Sequence, residues 1–317
     1  MSAIVDVVLP VFGLVLCGFL AGRFRVLGAE STEALNKFVY WFALPSILFI
    51  GMARVPSGAV FNWPYLGTLT LGAAATVAVA IAVVRFAFPG RGVETILSVY
   101  CAAFSNSGYM GIPLWLTAFG LAGAVPAALA AFFNAGLMVG GAIVALELIA
   151  GRGAGVGRAL ANVGRAIAQN PLLVAPVVGI AWSSWSLPLP RPIAVFLELL
   201  GACAGPAALF ATGLFLAGQS LRALMGGRRA VEVVWITFAK LAIQPLFTFA
   251  FGLWLGLEPF WLASATIMSA MPVGATAFVV AQRYGTFIER ASASILLSTV
   301  VSLITLAALM AWFEPRP

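Results

Sequence analysis

The sequence predicts an all-α integral membrane protein in which ten transmembrane helices form two inverted five-helix repeats. Three observations predict it: a composition that needs lipid as solvent, ten apolar stretches long enough to span a bilayer, and a shift that lays the second half of the chain on the first. Of the 317 residues, 62% are apolar and 9% charged, against about 45–50% and roughly 25% in soluble domains. Mean hydropathy is +1.08. So little charge cannot supply a polar skin, and so much apolar surface excludes disorder. Histidine is absent, which removes His–metal sites, Ser-His-Asp triads and histidine proton relays. Cys17, Cys101 and Cys203 sit in apolar runs without C-x-x-C spacing and read as small buried side chains.

A spanning helix needs about 20 apolar residues. The stretches 3–22, 36–53, 63–85, 95–118, 122–149, 170–187, 192–218, 231–256, 260–282 and 292–313 meet that need. The first begins near Asp6 rather than a basic segment, has no small-residue cleavage site, and reads as a mature helix. Basic residues give the orientation. Arg23, Arg25, Lys37, Arg85, Arg91, Arg152, Arg158, Arg165, Arg222, Arg228, Arg229, Arg283 and Arg290 follow the odd spans, whereas Arg54, Arg191 and Arg316 lie on the other side. The first side is then cytoplasmic and both termini are outside. The net charge of +7 reads as this topology signal and lipid attraction, not as a nucleic-acid surface.

Shifted by 161, Pro10 falls on Pro171, Pro45 on Pro206, Leu48 on Leu209 and Phe49 on Phe210. Pro113 and Pro272 are 159 apart, and Phe119-Gly120 and Tyr284-Gly285 are 165 apart. Five spans is an odd number, so a second half of five enters the membrane upside down. The expected organisation is a first repeat over 1–150, a basic cytoplasmic loop over 151–169 and an inverted repeat over 170–317.

Spans 4 and 9 carry helix breakers: Ser105-Asn106-Ser107-Gly108-Tyr109-Met110-Gly111-Ile112-Pro113 and Ser269-Ala270-Met271-Pro272-Val273-Gly274-Ala275-Thr276. Paired breaks in corresponding spans mark the binding site of transporters built from inverted repeats. Each half-helix that starts at a break aims free N–H groups and a positive dipole end into the gap, which favours a carboxylate. The packing alternative is a pair of kinks between close helices. Neither break holds Asp or Glu, which argues against cation exchange. The candidate substrate residues are Ser105, Asn106, Ser107, Tyr109, Pro113, Pro272, Gly274 and Thr276.

Asn106-x-x-x-Met110-Gly-Ile-Pro-Leu114 resembles the first crossover of the auxin efflux carrier family, as does Leu35-Asn-Lys-Phe38 running into Phe42-Ala-Leu-Pro45. Asn170-Pro-Leu with Gly179-Ile-Ala-Trp182 resembles the start of that family's second half. Leu209-Phe with Gly213-Leu-Phe-Leu216, and Met271-Pro with Phe278-Val-Val-Ala281, resemble its seventh and ninth helices. The matches run through nearly the whole chain. The resemblance implies crossed, proline-broken helices 4 and 9, a multi-pass place in a bacterial inner (plasma) membrane, and a short malate- or malonate-permease-like member. The plant carriers' long cytoplasmic loop is replaced by 150–169. The family's substrate-binding Asn carries over to Asn106. The plant-type Pro-Gln is here Pro272-Val273, a departure that weakens plant-like recognition.

Charges inside a membrane are functional candidates by default. Lys240 lies about 14 Å into span 8 at about 1.5 Å per residue, with an anionic substrate, Glu147 or Glu198 as partner. Glu198 of span 7 is the second candidate for coupling or charge. Asp6, Glu94, Glu147 and Glu232 read as span-end acids that pair a nearby Arg. Trp41 and Trp115 are cavity candidates; the other tryptophans read as an interfacial belt. The expected function is a secondary transporter of a small organic anion, such as a dicarboxylate or an auxin-like acid, by alternating access. Spans 3–5 and 8–10 carry the site, and spans 1, 2, 6 and 7 form the scaffold. The paired Asp, Ser–His or Asp-rich motifs of intramembrane enzymes are missing, so no catalytic residue, metal or cofactor is expected. Proton or sodium coupling stays open, as do a homodimer, a sodium-coupled bile-acid-type symporter and a non-transporting receptor.

Overall fold

The computed structural model describes residues 8–54, 62–88, 92–149, 161, 164–165, 168–185, 188–219 and 226–313. Asp6, Arg91, Arg152, Arg158, Arg222, Arg316, most of the 151–169 loop and the side chain of Glu147 lie outside them. The described residues are helical, with one isolated β-bridge and no strand.

Six helices are long and apolar enough to cross a membrane: Glu30–Ala53, Trp63–Ala87, Ser107–Leu146, Arg191–Ala217, Gly227–Trp254 and Ile288–Phe313. Leu9–Arg23, Gly92–Ala103 and Pro171–Ser184 are shorter apolar helices. The chain is therefore an all-helical membrane protein. In chain order its α-helices are α1 (Leu9–Arg23), α2 (Ala29–Phe38), α3 (Leu44–Ala53), α4 (Trp63–Ala87), α5 (Gly92–Ala103), α6 (Ile112–Phe119), α7 (Ala124–Phe133) and α8 (Gly140–Ile149). They continue as α9 (Pro171–Ser184), α10 (Arg191–Ala202), α11 (Ala204–Ala217), α12 (Gly227–Phe238), α13 (Gln244–Trp254), α14 (Pro259–Ser269), α15 (Thr276–Tyr284) and α16 (Ile288–Phe313).

Several of these helices join through wider π turns. Val39–Ala43 precedes α3, Ser107–Gly111 precedes α6, and Ala239–Ile243 precedes α13. In each case a proline, Pro45, Pro113 or Pro245, is the second residue of the helix that follows. Proline has no N–H to donate, and its ring collides with the carbonyl four residues back. A π turn relieves that collision by letting the chain bulge for one turn. Pro113 therefore does not unwind span 4 as expected from sequence; its helix rejoins across the bulge. A fourth π turn, Asn134–Val139, has no proline and begins at a buried amide.

Two helix pairs dominate the packing, α1 with α11 and α3 with α9. Both depend on glycine. A Cβ on Gly18 would stand 2.0 Å from the Phe210 carbonyl oxygen, and one on Gly179 would stand 2.6 Å from the Phe49 carbonyl oxygen. Gly18 and Gly179 differ by 161 in number, and so do Phe49 and Phe210. The reciprocal contact in the first pair is Gly213, whose Cβ would stand 2.0 Å from the Val15 oxygen. Small residues let membrane helices approach until dispersion and Cα–H···O contacts hold them, because lipid offers no hydrophobic drive between helices.

At one end of the bundle Arg290 of α16 joins α5 and α12. Its guanidinium is 2.8 Å from Glu94 and 2.8 Å from Glu232, and lies 4.2 Å from the Phe287 ring centroid. Glu94 also accepts from the Thr286 hydroxyl at 2.9 Å. Glu198 pairs instead with Arg54 across α10 and α3, both half exposed.

Gly18→Ala is expected to lower the thermal unfolding midpoint markedly, because its methyl meets backbone that cannot yield. Gly13→Ala, on the same helix with nothing within 4 Å of a Cβ, is expected to stay within about 0.5 kcal/mol of the parent. Equal midpoints for the two variants would contradict the close approach of α1 and α11.

Candidate functional site

The first break follows α5 and the second follows α14. Between them the chain leaves the helix, and each exposed stretch of backbone satisfies the other. Asn106 N–H donates to the Pro272 carbonyl at 2.8 Å, and Gly274 N–H donates to the Phe104 carbonyl at 3.2 Å. These bonds form an antiparallel bridge between Ser105 and Val273. Val273 N–H donates to Ser298 Oγ at 3.0 Å, and Ser105 Oγ donates to the Ser269 carbonyl at 3.4 Å. Backbone left unpaired in a lipid interior costs several kcal/mol per group, so the pairing makes the two breaks one structural unit.

The bridge joins the two breaks at a spacing different from that of the prolines. Ser105 and Val273 are 168 apart, close to the 165 separating Phe119 and Tyr284. Gly120 and Gly285, which follow those two residues, both have positive φ (57° and 66°) and end α6 and α15. Pro113 and Pro272, 159 apart, stand differently to the bridge. Pro272 sits in the break itself, and Pro113 lies past the π turn against Gly205 of α11.

Beside the bridge lies a cavity of about 320 Å³. Ser105, Asn106, Ser107, Tyr109, Gly274 and Thr276 line it, joined by Tyr40, Asn134 and Asn170. Six of the eight expected substrate residues thus share one cavity, and Pro113 and Pro272 do not line it. The π turn after Asn106 and helix α15 after Ala275 both start at this cavity without a side-chain cap. Asn106 is buried, and among the described residues its amide has no hydrogen-bond partner. Its own carbonyl closes the following turn by accepting from the N–H groups of Met110 and Gly111.

Asn134 is the residue that the sequence reading missed. Its Nδ2 donates to Ser107 Oγ at 2.9 Å and to the Ala130 carbonyl at 3.1 Å, while its Oδ1 is buried without a partner. The signal was present as an amide inside the apolar run of span 5. Tyr40 lines the cavity where Trp41 was expected; Trp41 is exposed on the outer face and Trp115 is buried against Phe119 and Phe260. A larger cavity of about 660 Å³ between α4, α5 and α8 is walled mainly by Val77, Ile81, Ile96, Val99 and Met138. It holds none of the expected site residues, so chemistry, not size, marks the smaller cavity.

Lys240 and Gln244 reach the breaks from behind. Lys240 is 0% exposed, and its Nζ donates to the Ser269 carbonyl at the end of α14. Gln244 Nε2 donates to the Ala103 carbonyl at the end of α5, at 2.9 Å. The two residues are four apart in sequence, Lys240 within the π turn Ala239–Ile243 and Gln244 at the start of the helix after it. Lys240 therefore pairs with neither Glu198 nor any other acid among the described residues.

Residues 3–149 and 157–310 match the family described as Membrane transport protein. The chain belongs to this family. A member from Rhizobium meliloti, named "Putative malonate transporter", is 31% identical over 315 residues, covering 98% of this chain and 96% of the relative. YfdV of Escherichia coli K12, an uncharacterized transporter, is 23% identical over 94% of this chain and 93% of its own length. Auxin efflux carrier component 6 of Arabidopsis thaliana is 28% identical over 45% of this chain and 25% of its own length. Within this family the chain is a short member of the auxin efflux type, as the crossover motifs implied.

Gly274→Ala is expected to destabilise the protein by about 1–3 kcal/mol, because its Cβ would stand 2.3 Å from the Phe104 ring that flanks the bridge. Gly108→Ala, whose Cβ would meet only Leu172 at 3.8 Å, is expected to fold normally. Thermal unfolding of both purified variants checks the pair, and a normal midpoint for Gly274→Ala would refute the tight bridge.

Proposed function

We propose that this protein is a secondary transporter of a small organic anion, a dicarboxylate such as malonate, and that the anion binds in the cavity beside the paired breaks. The observation that carries the reading is the sorting of helix ends. The residues at both uncapped helix starts, Ser107 to Tyr109 and Ala275 to Thr276, line the cavity. The carbonyl ends of α5 and α14 are turned to Gln244 and Lys240. A helix start attracts an anion through free donors and the positive end of the dipole. Asn106 adds an amide donor, and Ser107 and Thr276 add hydroxyls.

The same proposal assigns ten spans in two inverted repeats, with spans 4 and 9 crossed at the bridge. Support comes from the pairing of Gly18 with Phe210 and Gly179 with Phe49, which repeats one contact under a shift of 161. The break pairing, near a shift of 168, extends it to spans 4 and 9. Alternating access then rocks spans 1, 2, 6 and 7 against the rest, with both termini outside a bacterial inner membrane. The name of the Rhizobium relative favours malonate among the carboxylates.

Malonate is expected to raise the thermal midpoint of the purified protein, with a shift that grows as the logarithm of its concentration above Kd. Asn106→Ala should keep the ligand-free midpoint, since only the Asn106 backbone supports the bridge and the next turn. It should bind malonate roughly 10- to 100-fold more weakly, the worth of one hydrogen bond to a charged group. Unchanged affinity would sink the site assignment. Uptake of labelled malonate into liposomes separates a transporter from a receptor that only binds.

A further inference from the structure

We propose that the Lys240 ammonium is a built-in cation that fills the cation position of the paired breaks, so that the protein needs no sodium ion there. A helix broken inside a membrane presents two unlike ends. Its starts suit an anion, and its carbonyl ends suit a cation, which transporters with discontinuous helices commonly supply as sodium. Here the carbonyl end of α14 receives the Lys240 ammonium, and the carbonyl end of α5 receives the Gln244 amide.

The lysine has no other visible reason for its place. It is fully buried, and a charge within a membrane is expensive. The carboxylates on the helices packed around its π turn are committed elsewhere. Glu94 of α5 and Glu232 of α12 hold Arg290, and Glu289 of α16 holds Arg229. What balances the ammonium among the described residues is a peptide carbonyl at a helix end. Arg85 of α4 and Arg228 of α12 add no negative charge. Two hard oxygens meet at that helix end, Ser269 O and the Ser105 Oγ that donates to it, and Gln244, one turn along from Lys240, has a buried Oε1 without a partner. Such donors suit a small hard cation once the ammonium is gone.

Lys240 is thus a positioning residue that pins the end of α14, and it makes the site independent of sodium by occupying the place itself. The independence of transport rests on the proposed function; the occupancy of the cation position does not. The decisive experiment therefore needs no substrate. Thermal midpoints of the purified parent, Lys240→Ala and Lys240→Arg are measured in sodium chloride and in choline chloride. The parent and Lys240→Arg are expected to melt alike in both salts. Lys240→Ala should melt lower than the parent in choline and rise by a few degrees in sodium, climbing with the logarithm of the sodium concentration as ligand linkage requires. A sodium-dependent shift of the parent overturns the proposal. So does a Lys240→Ala protein that ignores sodium, or that is lost in both salts. Malonate uptake by the parent, equal in the two salts, is the separate arm that reads the transport claim.

Discussion

The constraint on which the structure depends is that backbone groups have no solvent in the interior of a bilayer. A helix can be opened there only if its freed N–H and carbonyl groups find partners within the protein. This chain opens two helices and lets each serve the other. Asn106 with Pro272 and Gly274 with Phe104 replace the missing helical bonds, and Ser298, Ser105, Gln244 and Lys240 take groups that the bridge does not reach. Neither break is stable without the other. That is why a bridge of two hydrogen bonds lies at the centre of an otherwise helical protein.

Once the breaks are paired, their electrostatics are no longer symmetric. Four half-helix ends meet in a small volume, and each carries about half an elementary charge of dipole. Lys240 and the Gln244 amide are turned to the carbonyl side. The donor side is lined by Asn106, Ser107 and Thr276, with no acid among the described cavity residues. A site made only from N–H, amide and hydroxyl groups has donors in excess. That excess of donors is what the proposed anion site rests on.

The sequence pattern was sufficient for the helices, because an apolar run of spanning length has few other uses. It also singled out Asn106 and its neighbours, which the fold brings to one cavity, because polar residues between helix breakers stand out in such runs. The cause of each opening was less legible. Gly108 and Pro113 looked like the breakers of span 4, yet the chain unwinds at Phe104–Asn106, where it meets a partner 168 residues away. Pro113 is absorbed by a π turn, as Pro45 and Pro245 are. Asn134 and Tyr40 were missed for the same reason: their value lies in what they face, not in their local pattern. Lys240 was noticed for its depth, but only the fold reveals that Ser269, 29 residues further along, receives it.

The packing chemistry also divides the molecule in a way that bears on motion. Glycine against carbonyl holds α1 to α11 and α3 to α9 with almost no gap, and a contact of that kind resists sliding because interdigitated surfaces do not deform smoothly. On the other side, buried hydrogen bonds tie the helices around the breaks: Tyr65 to Pro126 and Ser264, Asn134 to Ser107, and the Arg290 cluster. The seam between the two sets is built differently. Gly205 faces Pro113, Gly51 faces Ala124, and Tyr109 Oη reaches the Asn36 carbonyl at a long 3.4 Å. Side chains, rather than backbone carbonyls, meet the glycines there, and the polar link is long. Tyr109, Tyr40 and Asn170 line the cavity at this same seam. The rocking proposed above would run along this seam, beside the cavity, and leave the hydrogen bonds of the bridge intact.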